Sequence, residues 1–245
     1  MLFFNKPKPS ENAKRIIEYL GCKCEYFPPA ESDDALMKAY ITAFEKGKKN
    51  GFTPVIIVVD DTLTEWLTEI NSEGKTPKQF REEVLSLPEK DADELFASLY
   101  ESLMEDEEEG QDIGEIDGGE PMTAFSGYRS YNDGSVTEAV LAYIPTSEPY
   151  EVFAWVPFGG WNECPDAPDM MTAARHWYQK YSAVPAVIGH DTLEFAAQAM
   201  SDEDALCVAK EQYALCPDIV WQGIGSVGAL ADSLKRSTVW FFWWD

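Results

Sequence analysis

An unbroken run of β-branched residues, Val55-Ile56-Ile57-Val58-Val59, follows Pro54 in the N-terminal half of the chain. Such side chains favour strands, and a strand that is apolar on both faces is usually covered on both. The run therefore predicts a central, buried strand in which Ile57 is fully enclosed. A sheet with such a strand needs a layer of helices on each side.

Helix and strand patterns alternate along the rest of the chain. Apolar spacing predicts helices at 10–20, 33–49, 62–70, 76–87, 91–104, 169–181, 202–215 and 226–234. Further strands are predicted at 22–27, 136–144, 152–158, 185–188, 194–199, 219–222 and 239–244, with 136–144 and 152–158 forming a hairpin. The pattern predicts an α/β or α+β fold, a layered mixed sheet with flanking helices.

An acidic, glycine-rich segment, residues 105–120, has the sequence EDEEEGQDIGEIDGGE. Its composition is typical of a linker or exposed loop, so we expect two lobes, 1–104 and 121–245, joined by it. Placing Gly110 at the sixth position of an EF-hand loop puts Ile116 where the twelfth-position Glu is required. We expect no regular structure and no stoichiometric metal here, and only a small loss of stability on deletion.

The strong acidity of the chain excludes several partners. A net charge of −25 would repel nucleic acid and anionic lipid, and it is compatible with a basic protein partner. No apolar run approaches the roughly 20 residues needed to cross a bilayer. Five cysteines, an odd number, favour a reducing compartment, so we expect a cytoplasmic protein. The sequence does not specify an oligomeric state.

All but one of the eight tryptophans lie at or after Trp155. The last predicted strand alternates two sets of aromatic side chains, with Trp240, Phe242 and Trp244 on one face and Phe241 and Trp243 on the other. Large aromatics on both faces predict that this strand is paired inside the sheet. We also expect one of its tryptophans to contact the loop that contains Trp161 and Asn162.

Few residues are arranged for metal or cofactor chemistry. The chain has only two histidines, His176 and His190, and the Cys22-x-Cys24 pair stands alone, whereas zinc sites need grouped ligands. Phosphate-binding and dinucleotide-binding glycine motifs are lacking in their full form. We therefore expect no bound metal and no cofactor.

A cysteine nucleophile has one candidate arrangement. Cys164 precedes the predicted helix 169–181, on which His176 lies. His176 is about 10 Å along that helix by rise alone, too far for contact with a cysteine before its first turn. A buried, unreactive cysteine explains the pattern better.

Carboxylates close to the aromatic block are the other candidates. Glu211 points either into a cleft or to the rim of a helix, and Asn162 makes either a ligand contact or a loop hydrogen bond. The candidate binding or cleft residues are Trp161, Asn162, Cys164, His176, Trp177, Glu211, Asp218 and Trp244.

A set of these residues resembles a known bacterial family. The matching features are Trp161-Asn162 with Cys164-Pro165, Trp177, Tyr181 and Ala183, Glu211, Pro217-Asp218, and the closing Trp240-Phe241-Phe242-Trp243-Trp244-Asp245. They are similar to domain of unknown function 4253 over roughly the last 100 residues. Ser182 stands where such families have glycine. The resemblance implies a domain boundary and positions to test, and it implies no activity.

Two functions follow as expectations. The first is non-enzymatic binding of another, possibly basic, protein. The alternative is a hydrolase-like enzyme with a cleft beside Trp161 that uses Cys164, His176, Glu211 or Asp218.

Overall fold

One mixed sheet organises the molecule. The computed structural model describes residues 7–70, 74–105, 113–159 and 164–245. Within these residues the strands are β1 (Lys23–Phe27), β2 (Thr53–Val58), β3 (Ala139–Ile144), β4 (Val184–Ile188), β5 (Thr192–Ala196) and β6 (Val239–Trp243). They form a six-stranded sheet in the order β1-β3-β2-β4-β5-β6.

The strand β2 lies inside this sheet, as the β-branched run predicts. It pairs antiparallel with β3 and parallel with β4, and each of its residues is buried, with Ile57 0% exposed. The prediction of a central strand is confirmed. The sheet is mixed, because β2 and β4 are parallel whereas the other neighbouring strands are antiparallel.

Helices cover both faces of the sheet. They are α1 (Glu11–Leu20), α2 (Asp34–Asn50), α3 (Asp61–Glu65), α4 (Pro77–Ser86), α5 (Ala92–Glu105), α6 (Val152–Trp155), α7 (Ala167–Tyr181), α8 (Asp202–Leu215) and α9 (Val227–Leu234). α2 packs on one face through Leu36, Tyr40 and Ala43. The other face carries the larger core, to which residues of α1 and of α3 to α9 contribute. This is the predicted layered α/β arrangement. None of the helices within the described ranges has both the length and the apolar character needed to cross a bilayer.

Side-chain caps explain where several helices begin. Residues that precede a helix accept a hydrogen bond from the backbone N–H three positions on, which satisfies a donor that the helix cannot. These caps are Ser10, Asp60, Thr76, Asp166, Ser201 and Ser226.

The predicted strands at 152–158 and 219–222 are wrong. The first segment contains α6, so the expected hairpin does not form, and the second lies in a π-helical segment, Ile219–Ile224. Residues 152–158 are all buried. A short apolar run that is enclosed on all sides has the same sequence pattern in a strand and in a helix.

The strands on either side of the acidic segment belong to the same sheet. β1 and β2 precede residues 105–120 and β3 to β6 follow them, so the two predicted lobes share one sheet. Residues 106–112 lie outside the described part of the chain. Residues 113–120 contain no helix or strand.

Residues 113–120 are attached to α9 by hydrogen bonds. The Gly119 N–H donates to Asp232, the Ser233 hydroxyl donates to the Glu120 carbonyl, and the Gly228 N–H donates to the Ile113 carbonyl. A Cβ atom at Gly119 would lie 2.0 Å from the carbonyl oxygen of Ala229, so this close approach requires glycine. The small cost expected for deletion therefore does not apply to this half of the segment.

The final strand is paired, but it lies at the edge of the sheet. β6 pairs only with β5 among the named strands, so the predicted position inside the sheet is wrong. The predicted alternation is correct, since Trp240, Phe242 and Trp244 are buried. These side chains face the core between the sheet and the helices, which provides the cover that a second neighbouring strand was expected to provide. The expected contact with Trp161 and Asn162 lies outside the described residues.

Replacement of Trp244 by alanine should lower the free energy of unfolding by about 3–5 kcal/mol, the range for emptying a buried aromatic site. Its ring lies 5.5 Å from that of Phe158, and its N–H donates to the Leu215 carbonyl. Trp243 is half-buried and its N–H donates to Asp191, so Trp243→Phe should cost only about 1 kcal/mol. Urea unfolding of both variants measures these losses. A wild-type midpoint for Trp244→Ala would contradict the assignment of Trp244 to the core.

Candidate functional site

Trp177 lies at the centre of an aromatic cluster. It is fully buried on α7. Its ring stacks on Phe96 and Phe242, with centroids 5.7 and 5.5 Å away, and it meets Phe195 and Trp240 edge-on at 5.5 and 5.7 Å. These partners come from α5, β5 and β6, so one side chain joins two helices to the sheet.

The polar atom of this ring is bound to a buried carboxylate. Trp177 Nε1 donates to Glu211 Oε2 over 2.8 Å. The other carboxylate oxygen lies 3.1 Å from His176 Nε2 and accepts from the Cys207 thiol over 3.4 Å. We call His176, Trp177, Cys207 and Glu211 the Glu211 cluster. The sequence patterns selected three of these four residues as candidates, and Cys207 was not among the candidates.

The hydrogen bonds keep Glu211 ionised. Burial opposes ionisation, but hydrogen bonds from His176 and Trp177 outweigh it and hold the pKa of Glu211 below its ordinary value. Burial and the neighbouring Glu211 carboxylate both raise the pKa of the Cys207 thiol. Because Cys207 bonds to a carboxylate rather than to an imidazole, this arrangement does not activate it as a nucleophile.

A groove of about 570 Å³ opens over the Glu211 cluster, between α5 and α8. Its lining residues are Phe96, Ala97, Tyr100, Ile113, Glu203, Leu206, Cys207, Lys210, Glu211 and Ala214. Most of this surface is apolar, and Glu211 provides a buried charge within it. We call it the α5–α8 groove.

The remaining predicted site residues have other partners. Cys164 is buried, Trp244 is part of the core, and Asp218 accepts from Gln222 Nε2 and from the Asp245 N–H. Glu211 and Asp218 therefore share no hydrogen-bond partner. Trp161 and Asn162 lie outside the described residues.

A second polar cluster lies where the parallel strands β2 and β4 end. His190 Nδ1 is 3.2 Å from Asp60 Oδ2, and His190 Nε2 is 3.3 Å from Asp191 Oδ2. Trp243 Nε1 donates to the same Asp191 oxygen over 3.1 Å. We call these four residues the sheet-end cluster. Ligands of open α/β sheets bind outside the carboxyl ends of parallel strands, so its position is a second candidate site.

The charges of the sheet-end cluster favour an ion pair. Hydrogen bonds to Asp191 and Asp60 raise the pKa of His190 to about 10. The imidazole is therefore protonated at neutral pH and cannot act as a general base there. Within the described residues, no group of three or more His, Cys, Asp or Glu side chains is arranged to hold a metal ion.

The C-terminal part of the chain, which contains the Glu211 cluster, corresponds to a known family. Residues 140–245 match the model of the domain of unknown function DUF4253. The resemblance expected from the aromatic and Cys-Pro motifs is confirmed over this range. A search of curated proteins and of solved structures finds no match.

The DUF4253 region contains the whole Glu211 cluster, but it does not contain the whole α5–α8 groove or the whole sheet-end cluster. It supplies His190, Asp191 and Trp243 at the end of the sheet. Asp60 follows β2, and Phe96 lies on α5, before the matched range begins. Residues inside and outside the matched range therefore build the α5–α8 groove and the sheet-end cluster.

Replacement of Glu211 by glutamine should lower the free energy of unfolding by about 1–3 kcal/mol, because it removes an acceptor from a buried network. The folded-state pKa of Glu211 is lowered. Its contribution is therefore present above the ordinary Glu value of about 4.3 and is lost as the pH falls through the folded value. As the pH is lowered from about 6 to about 3, the free energy of unfolding should fall less steeply in Glu211→Gln than in wild type. Glu203→Gln, an exposed change on the same helix, is the control, and equal slopes in all three proteins would contradict the prediction.

Replacement of His190 by glutamine should make the free energy of unfolding depend less on pH in the alkaline range. The folded-state pKa of about 10 lies above the model value of 6.5. The contribution of His190 is thus complete below pH 6.5 and is lost as the pH rises through about 10. Denaturant unfolding between these limits measures the difference between variant and wild type. A difference that does not change with pH would show that the ion pair does not form.

Proposed function

We propose that the protein is a non-enzymatic binding module that receives a basic segment of another protein in the α5–α8 groove. The observation that carries the proposal is a buried, ionised carboxylate, Glu211, in the wall of an otherwise largely apolar groove. Apolar grooves bind the apolar side chains of a partner, and a buried charge adds specificity for the opposite charge.

The exposed acidic residues of α5 and α8, the helices that border the groove, favour a cationic partner. The exposed acidic residues of the two helices are Asp93, Glu94 and Glu101 on α5 and Asp202, Glu203 and Asp204 on α8. Lys210 is the basic residue among those that line the groove. Together with the net charge of −25, this distribution would accelerate encounter with a basic segment.

The alternative, a hydrolase-like enzyme, has less support. A nucleophile needs a base within hydrogen-bond reach, and His176 is paired with Glu211 instead. Cys164 and Asp218 do not belong to the Glu211 cluster. We also propose a cytoplasmic location, since an odd number of cysteines, five, favours a reducing compartment over a disulfide framework.

Site-specific photo-crosslinking in cells tests the binding proposal. A photoreactive amino acid at Ala97, an exposed position in the groove, should capture a partner that the same group at Ile41 does not capture. Ile41 is 53% exposed on α2, which packs on the opposite face of the sheet. The crosslinked peptide of the partner should contain Lys or Arg beside apolar residues. Identical captures at Ala97 and Ile41 would contradict a role for the groove.

Calorimetry with the purified partner then measures the role of charge. Glu203→Lys, at the groove, should weaken binding by at least about tenfold, and binding should weaken as salt is added. Glu45→Lys, an exposed change of equal charge on α2, is the matched control and should leave the affinity nearly unchanged. Equal losses in both variants would show that only the overall charge matters. Turnover of ester or phosphoester substrates that His176→Gln abolishes would support the enzyme instead.

A further inference from the structure

Two thiols lie together where the edge strand β1 begins. Cys22 immediately precedes β1, and Cys24 is the second residue of that strand. Both are half-buried free thiols, and Cys24 Sγ donates to the Cys22 carbonyl over 3.6 Å. Both side chains are therefore partly open to solvent, and the Cys24 thiol contacts the backbone of Cys22.

A fixed positive charge lies beside this pair. Arg81 of α4 donates through Nη2 to the Leu20 carbonyl over 3.2 Å, and its guanidinium lies 4.5 Å from the ring centroid of Trp155. Its Nε atom is buried and has no hydrogen-bond partner among the described residues. The guanidinium is thus held close to the start of β1, where it favours a negative charge on sulfur.

The two sulfurs differ in acidity. A hydrogen bond with Cys24, and the charge of Arg81, lower the pKa of Cys22 against the effect of burial. The same hydrogen bond and burial raise the pKa of Cys24. The pKa values of Cys207 and Cys216 are also raised, mainly by burial. Cys22 is therefore suited to be the nucleophile that attacks a disulfide first, and Cys24 to be the second thiol, which attacks Cys22.

We propose that Cys22 and Cys24 form a redox-active dithiol that exchanges with low-molecular-weight disulfides. The Cys22 thiolate attacks one sulfur of the small disulfide, forms a mixed disulfide and expels one small thiolate. Cys24 loses its proton and attacks the Cys22 sulfur, which closes the Cys22–Cys24 disulfide and expels the second thiolate. Two electrons pass to the small disulfide, and the two protons of the protein thiols end on the two small thiols.

A disulfide between these two residues should be easily reduced. Both side chains are half-buried, so a small thiol can reach a bond between them. Disulfides that are open to solvent are reduced more readily than buried structural ones. The pair therefore suits reversible exchange rather than permanent crosslinking.

Peptide mapping after exposure to oxidised glutathione tests the proposal. Free thiols are alkylated, and the protein is digested with trypsin, which cuts after Lys23 and so separates the two cysteines. Wild type should yield the peptides that begin at Ile16 and at Cys24 joined by a reducible bond. Cys24→Ser, which retains a hydroxyl donor, should stop at a mixed disulfide of Cys22 with glutathione. Cys207→Ser is the matched control and should still form the joined peptides.

The peptides that the digest yields show whether the disulfide forms. Joined peptides that separate when reduced glutathione is added support the proposal. Wild-type protein in which both cysteines remain alkylated, or in which Cys22 carries glutathione while Cys24 stays free, overturns it. Arg81→Gln should slow the alkylation of Cys22 by about threefold or more at neutral pH, and a circular-dichroism melt confirms that the variant is folded. An unchanged alkylation rate would show that Arg81 does not favour the thiolate of Cys22.

Discussion

The hydrogen bond between the Trp177 indole and the Glu211 carboxylate is the contact on which the core depends. A buried indole N–H needs an acceptor, and a largely buried carboxylate needs donors, because water does not reach Trp177 and reaches Glu211 only from the groove. Each residue therefore makes the burial of the other possible. Since Trp177 also packs against α5, β5 and β6, this single bond sets how α7 and α8 lie on the sheet. The same carboxylate provides the negative charge in the wall of the α5–α8 groove.

The two polar clusters and the thiol pair differ in how they use charge. In the Glu211 cluster, three donors surround one carboxylate, whereas in the sheet-end cluster two carboxylates surround one imidazolium. In both arrangements the charged groups have hydrogen-bond partners within the fold. The thiol pair beside Arg81 is different. The Arg81 Nε atom has no hydrogen-bond partner within the part of the chain that the structure describes, and one of the two sulfurs is favoured as an anion. The thiolate of this pair can therefore take part in the proposed disulfide exchange, whereas the charged groups of the two clusters are held in hydrogen bonds.

Sequence patterns predicted those parts of the fold that depend on local spacing. The buried strand around Ile57 was predictable from its unbroken run of β-branched residues. The burial of Trp240 and Phe242 on one face was predictable from the two-residue period of a strand. The runs at 152–158 and 219–222 were not, because short apolar segments fit a strand and a buried helix equally. Glu211, His176 and Trp177 were identified as candidates by residue type. Their contacts, and that of His190 with Asp60, depend on how distant segments pair, and spacing along one chain contains no information on that pairing.

The position of β2 in the sheet also has a consequence for biosynthesis. Ile56 pairs with Leu141 on one side and with Val187 on the other, so both neighbours of this strand are synthesised long after it. Until they emerge from the ribosome, the most apolar stretch of the N-terminal half has no strand to pair with on either edge. Such contacts between distant segments slow folding and leave edges open to aggregation. The nascent chain thus depends on the DUF4253 region to complete its first half, and a stalled or truncated product would be a natural client for chaperones.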